Sequence, residues 1–189
     1  MVKSILLVGV GGQGTILASK LLTTGLMEAG YDVKMSEIHG MSQRGGSVSS
    51  QVRYGEKVES PVIETGGADI LVSFEKMEAL RWLKYVKPDG KVVVNDYEIN
   101  SMPIVSGKFD YPAGILEELA GKVQTTVVQA AAKAAELGNP RVMNIILLGT
   151  IIKAMGLESI DWDTIVRHNV KADFVELNLK ALQTGMSLV

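Results

Sequence analysis

The feature that most constrains the fold is a glycine-rich loop near the start of the chain, set between an apolar run and an amphipathic segment. Residues 9–14 read GVGGQG and satisfy the spacing G-x-G-x-x-G. The apolar run at 3–8 is typical of a buried parallel strand, and the apolar residues of segment 15–29 recur at the three- and four-residue spacings of a helix. A strand, a tight glycine turn and a helix in this order predict an α/β fold whose first helix begins with free backbone N–H groups.

Further alternation along the chain extends this prediction. Strands are expected at 31–36, 47–54, 68–74, 91–95 and 123–127, and helices at 75–85, 113–119, 129–137 and through the last third. Residues 3–36 then form a βαβ unit, the strand at 47–54 has one wet face and pairs antiparallel or lies at an edge, residues 87–90 form a turn, and 96–111 are mostly loop. The whole predicts a three-layer α/β/α sandwich with a mainly parallel, Rossmann-like sheet, built as a single domain over 1–189.

Composition excludes several classes of function. The net charge of −2 provides no overall positive field for nucleic acid, and the absence of cysteine removes disulfides, thiolate catalysis and cysteine-ligated iron–sulfur clusters. With only two histidines, His39 and His168, a metal site would lack ligands. The N-terminal apolar run is too short for a signal peptide, and the longest apolar stretch, 142–155, falls short of the roughly 20 residues that span a bilayer. We therefore expect a cytoplasmic protein that binds neither nucleic acid nor membrane.

A polar loop follows the second strand and carries the most distinctive side chains. Residues 37–48 read EIHGMSQRGGSV, so Arg44 is followed by Gly45 and Gly46. Two residues without side chains let a phosphate or a partner backbone approach the guanidinium group closely. The alternatives are a surface arginine in an ordinary connection and, for His39, a neutral ring satisfied by backbone groups.

Together the two loops predict an anion-binding site. Its candidate binding residues are Gly9, Gly11, Gly12, Gln13, Gly14, Thr15, Arg44, Gly45 and Gly46, with Glu37, His39 and Gln43 toward the substrate or an interface. We expect no catalytic residue and no metal ligand in this chain. Two alternatives stay open: the glycines serve only a turn and close packing, or the loop binds NAD(P) or FAD with Glu37 on a ribose hydroxyl.

Three motifs in a fixed order resemble one enzyme family. The GVGGQG loop, the segment 37–48, and the pattern NPRVMN at 139–144 with LLG at 147–149 are similar to the gamma-type chain or domain of the 2-oxoacid:ferredoxin oxidoreductases. Segment 37–41 is nearest to the indolepyruvate branch, although pyruvate and 2-oxoglutarate enzymes remain open.

The resemblance implies a division of labour between subunits. In this family thiamine diphosphate attacks a 2-oxoacid, carbon dioxide leaves, two electrons pass through iron–sulfur clusters to ferredoxin, and an acyl-coenzyme A forms. Thiamine diphosphate, magnesium and the clusters are expected on a larger partner subunit, which also makes the contact with ferredoxin. This chain is expected to complete the active site and to help bind coenzyme A. Alone it is expected to be inactive. The nearly all-apolar segment 142–155 is either buried in the core on every side or partly an interface; we expect it to lie mostly in the core, with self-association as a homodimer when the large subunit is missing.

Overall fold

The computed structural model describes residues 1–39 and 45–189, and the side chain of His39 lies outside that description. Its strands are β1 Lys3–Val10, β2 Asp32–His39, β3 Ser47–Gly55, β4 Ala68–Ser73, β5 Val86–Asn95 and β6 Gln124–Val128. Its helices are α1 Thr15–Glu28, α2 Lys76–Trp82, α3 Met102–Val105, α4 Ile115–Lys122, α5 Ala130–Glu136, α6 Met143–Met155, α7 Trp162–Asn169 and α8 Val175–Met186. Short 3-10 turns occupy Leu83–Tyr85, Pro140–Val142 and Ala172–Phe174.

The strands of the described chain form one six-stranded sheet in the order β2-β3-β1-β4-β5-β6. β1, β4, β5 and β6 pair in parallel, and β3 pairs antiparallel with both β1 and β2. The mainly parallel sheet is therefore confirmed. The opening βαβ unit differs from expectation, because β1 and β2 run in the same direction but β3 lies hydrogen-bonded between them.

Two local predictions need correction. β3 has no wet face, since Val48–Val52 is buried throughout between two neighbouring strands. Residues 87–90 belong to β5 rather than to a separate turn, and they bulge where the pairing moves from Ala68 opposite Val86 to Ile70 opposite Lys91. The segment at 96–111 is mostly loop, as expected, and contains the single turn of α3.

Helices cover both faces of the sheet and complete the three layers. α1, α5, α6, α7 and α8 contribute to one apolar core, and α2 and α4 contribute to a second core on the opposite face. Every residue of Met143–Ile152 in α6 is buried, so the apolar segment is core as expected. In the described part of the chain, no helix is long and apolar enough to cross a membrane.

Candidate functional site

The glycine loop is braced by its own glutamine. Gln13 accepts a hydrogen bond at Oε1 from the Val10 amide (2.8 Å) and donates one from Nε2 to the Phe74 carbonyl (2.9 Å). A Cβ at Gly9 would lie 2.9 Å from both Gln13 Oε1 and Phe74 Cβ, so only glycine fits there. The sequence assigned Gln13 to a ligand or a partner, whereas in the structure its amide also ties the loop to the end of β4.

Helix α1 begins at this loop with backbone groups facing out. Gly14 is the N-cap at φ 85°, a left-handed conformation that favours glycine, and no side chain caps the helix. Asn144 of α6 donates to the Gly14 carbonyl (3.2 Å), and its amide stands 2.6 Å from where a Gly14 Cβ would be. The first N–H groups of α1 have no acceptor within the helix and carry partial positive charge, so they can bind an anion.

The end of the second predicted loop is hydrogen-bonded to the glycine loop. The Gly11 amide donates to the Gly46 carbonyl (2.8 Å), and the Gly45 amide donates to the Gly11 carbonyl (3.3 Å). The structure thus brings these glycines together at one edge of the sheet. Gln43 and Arg44, with residues 40–42, lie outside the described residues.

Two further candidate site residues, Glu37 and His39, lie at the end of β2. The backbone of His39 pairs with Val48, which pairs with Gly9 on its other side, and the His39 side chain lies outside the description. Glu37 accepts a hydrogen bond from the Ser19 hydroxyl of α1 (2.7 Å). In a dinucleotide-binding fold the acidic residue follows the strand next to β1. Here β3 takes that place, and two strand spacings of about 4.8 Å put Glu37 roughly 10 Å from β1, which disfavours a ribose contact.

A cleft of about 1000 Å³ opens in front of the glycine loop. Gly11, Gly12, Gln13 and Gly14 line it, whereas Gly9 and Thr15 are buried behind the loop. The other walls come from Tyr97 and Ile99 after β5, from residues 139–144 and from segment 169–174.

The charged residues lining the described part of this cleft are both basic. They are Arg141 and Lys171, each exposed, and no aspartate or glutamate joins them. This stands out in a chain with 21 acidic and 19 basic residues. Sequence reasoning missed both cations as site residues, because nothing local distinguishes them from solvated side chains. Asn144 did carry a signal, since it is a lone amide in an apolar run.

Metal ligands do not gather in the part of the chain that the structure describes. No three histidine, aspartate or glutamate side chains form a group there that could hold a metal ion. The chain also has no cysteine to offer an iron–sulfur cluster.

Comparison with known proteins identifies the family. The model of the family "Pyruvate ferredoxin/flavodoxin oxidoreductase" matches residues 4–188. Indolepyruvate oxidoreductase subunit IorB of Pyrococcus horikoshii is 36% identical over 191 residues, which cover 97% of this chain and 94% of that protein. The chain therefore belongs to the pyruvate ferredoxin/flavodoxin oxidoreductase family, as its three motifs predict, and is one subunit of a 2-oxoacid ferredoxin oxidoreductase.

Solved structures share the fold. The gamma subunit of a keto/oxoacid ferredoxin oxidoreductase from Geobacter sulfurreducens matches with a TM-score of 0.76 at 24% identity, covering 100% of this chain and 96% of that one. A 2-oxoglutarate:ferredoxin oxidoreductase from Magnetococcus marinus, solved with 2-oxoglutarate, coenzyme A and succinyl-CoA bound, matches with a TM-score of 0.74 at 18% identity. This chain aligns over 99% of its length with 31% of that longer chain.

Proposed function

We propose that this chain is the small subunit that completes the active site of an indolepyruvate ferredoxin oxidoreductase and helps to bind coenzyme A. The observation that carries the proposal is the cleft, which joins the glycine loop to Arg141 and Lys171 without an acidic residue among its described lining. The glycine loop at the start of α1 and the two basic side chains both favour an anionic ligand in the cleft.

Coenzyme A fits this lining by charge and by size. It is a polyanion with an elongated apolar and amide arm, and the cleft offers backbone N–H groups, two cations and apolar side chains such as Ile99 and Phe174. When bound, coenzyme A supplies the thiol that accepts the acyl group. The residues of this chain bind and orient it, and they exclude water from the arm.

The remaining cofactors belong to a partner subunit in this proposal. A chain without cysteine cannot ligate an iron–sulfur cluster, so the electrons released from the oxoacid leave through another chain and reach ferredoxin from there. Thiamine diphosphate and magnesium are placed on the same partner. The aryl pyruvate preference rests on the name of the archaeal relative at 36% identity.

The test is the coenzyme A dependence of the assembled enzyme. Arg141→Ala and Lys171→Ala should each raise the Michaelis constant for coenzyme A by about fivefold to tenfold, because a charge-assisted contact is lost. The turnover number should change little. Arg167→Ala is the matched control, since this exposed arginine pairs with Glu176 outside the cleft.

Two results would contradict the proposal. One is an unchanged coenzyme A constant in both cleft variants. The other is binding of NADH, NADPH or FAD to the full chain at submillimolar concentration, which would favour the dinucleotide alternative.

A further inference from the structure

A buried carboxylate stands directly behind the point where the two loops meet. Glu78 of α2 is 4% exposed, and its Oε2 accepts a hydrogen bond from the hydroxyl of Ser47. Its Oε1 pairs with Arg81 Nε at 3.1 Å, and the Trp82 indole N–H lies 3.4 Å from Ser47 Oγ. Burying a charged carboxylate costs free energy unless each oxygen is paired, as both are here.

The position of Glu78 is itself fixed by Glu75, which also contacts the wall of the cleft at Ile99. Glu75, 1% exposed, caps α2 by accepting from the Glu78 amide (2.9 Å). The same Glu75 side chain accepts from the Tyr111 hydroxyl and from the Ile99 amide (3.3 Å), and Ile99 lines the cleft. Hydrogen bonds therefore link that wall to the backbone of Glu78, and the Glu78 side chain links α2 to Ser47.

Ser47 connects this set to the glycine loop. It is the first residue of β3, its backbone pairs with Val10, and it directly follows Gly46, whose carbonyl receives the Gly11 amide. Fixing the Ser47 side chain to α2 consequently fixes the Gly46 carbonyl against Gly11. Gly11 itself lines the cleft.

We infer that Glu78 is a positioning residue for the anion site, acting through Ser47 and the Gly46–Gly11 hydrogen bond. It touches no ligand. Its contribution is to hold the start of β3 so that the glycine-loop amides keep one orientation, which lowers the ordering cost of binding. The expected effect on coenzyme A use rests on the proposed function. The effect of Glu78 on the Gly46–Gly11 hydrogen bond concerns this chain alone.

The first experiment is amide hydrogen exchange on the full chain. In Ser47→Ala and in Glu78→Gln, protection of the Gly11 amide should fall by about tenfold or more, while protection of Leu71 in the central strand β4 stays unchanged. Ser47→Thr keeps the hydroxyl and should restore most of the protection. Ser4→Ala is the matched control, because Ser4 is also a buried serine bonded to a charged side chain, Arg53 (3.3 Å). It lies near the start of β1, at the end of the β1–β3 pair away from Ser47.

The second experiment measures the assembled enzyme. Ser47→Ala and Glu78→Gln should each raise the Michaelis constant for coenzyme A by about fivefold with the turnover number nearly unchanged, and the double variant should be no worse than either single one. Unchanged Gly11 protection in both single variants would overturn the inference. Lost protection in an enzyme that does not use coenzyme A would leave the positioning step standing and refute the proposed function instead.

Discussion

Gln13 illustrates how one side chain can hold the loop in place as well as line the cleft. Both of its polar atoms are engaged by backbone groups, at Val10 and Phe74, and they hold the glycine loop against β4. Backbone amides whose orientation is fixed before binding cost less to use than mobile side chains. We therefore assign anion recognition to the loop backbone, with cationic side chains adding charge.

Arg44 gives the sharpest prediction for a single side chain, and its basis is the sequence, where two glycines follow it. Arg44→Ala should raise the coenzyme A constant or weaken subunit association by about tenfold, since a charge-assisted pair contributes about 1.5–3 kcal/mol. Arg44→Lys should recover only part, because an ammonium group cannot make a bidentate contact. The anion that Arg44 meets is either a coenzyme A phosphate or a carboxylate of the large subunit. A raised coenzyme A constant in steady-state kinetics indicates the phosphate, and weaker subunit association in a titration indicates the carboxylate. If neither quantity changes, the loop is structural.

The crossing of α6 and α8 depends on two glycines that let the helix backbones touch. A Cβ at Gly185 would lie 1.9 Å from the Ile146 carbonyl oxygen, and one at Gly149 would lie 2.3 Å from that of Leu182. Gly185→Ala must push the helices apart and should lower the free energy of unfolding by about 3 kcal/mol or more. Denaturant unfolding measures this.

Gly121 in α4 provides the matched control for that crossing. It is exposed, and an added Cβ would meet nothing within 4 Å. Gly121→Ala should leave stability unchanged or raise it by about 0.5–1 kcal/mol, since alanine loses less chain entropy in a helix. Equal stability of Gly185→Ala and the parent chain would rule out the close crossing.

Asp69 ties three strands together at the amino edge of the sheet. Its carboxylate accepts from the Ser4 amide of β1 (2.8 Å) and from Lys87 of β5 (2.7 Å). Burial by itself would raise the pKa of Asp69, but the hydrogen bonds from Lys87 and Ser4 outweigh it and hold that pKa below its ordinary value. Asp69 therefore stabilises the fold above the unfolded-state pKa of about 4, and this contribution disappears as the pH falls through the folded-state pKa.

The corresponding variant is Asp69→Asn. At pH 7 it should lower the free energy of unfolding by about 1–3 kcal/mol, and the difference from the parent should shrink as the pH falls below about 4. Asp89→Asn, at an exposed position in the β5 bulge, should change that free energy by less than about 0.5 kcal/mol. A penalty for Asp69→Asn that is the same at pH 7 and pH 3 would contradict the ionic origin.

Activity is expected to belong to the assembled enzyme. The purified chain alone should not oxidise any 2-oxoacid, because it has no cysteine for a cluster, and activity should appear when a cysteine-bearing large subunit is added. Reduction of ferredoxin or of an artificial dye measures this. Turnover by the small chain by itself would overturn the assignment of roles.

If the isolated chain self-associates, it must do so through a surface other than the buried part of segment 142–155. Residues Met143–Ile152 of α6 are buried within the chain, so this part of the apolar segment is not available as an interface. The large exposed apolar side chains include Met102 (77% exposed), Val105 (65%) and Phe109 (61%), all in the segment around α3. Light scattering of the isolated chain remains the measurement that tests the predicted homodimer.

Local sequence patterns were sufficient for the element types and for the glycine loop. Residues 5–8 are apolar throughout, which is typical of a buried strand. Gly12 and Gly14 adopt positive φ angles that other residues rarely adopt. Asn139 and Pro140 likewise mark a helical start by local chemistry, and the Asn139 side chain does accept from the Arg141 amide (3.0 Å). Each of these signals depends on neighbours within a few residues.

The order of strands and the composition of the cleft were decided by tertiary contacts. The sequence of residues 47–55 does not predict that β3 lies between β1 and β2, because several strands have similar apolar patterns and could pair with it. The Asn144 amide donates to the Gly14 carbonyl, 130 residues away in the sequence. Arg141 and Lys171 share the cleft because α6 packs against α1, α5 and α8. Sequence patterns indicate which local structure each segment favours. A site built from distant segments forms only when the core has buried its apolar surface and brought those segments together.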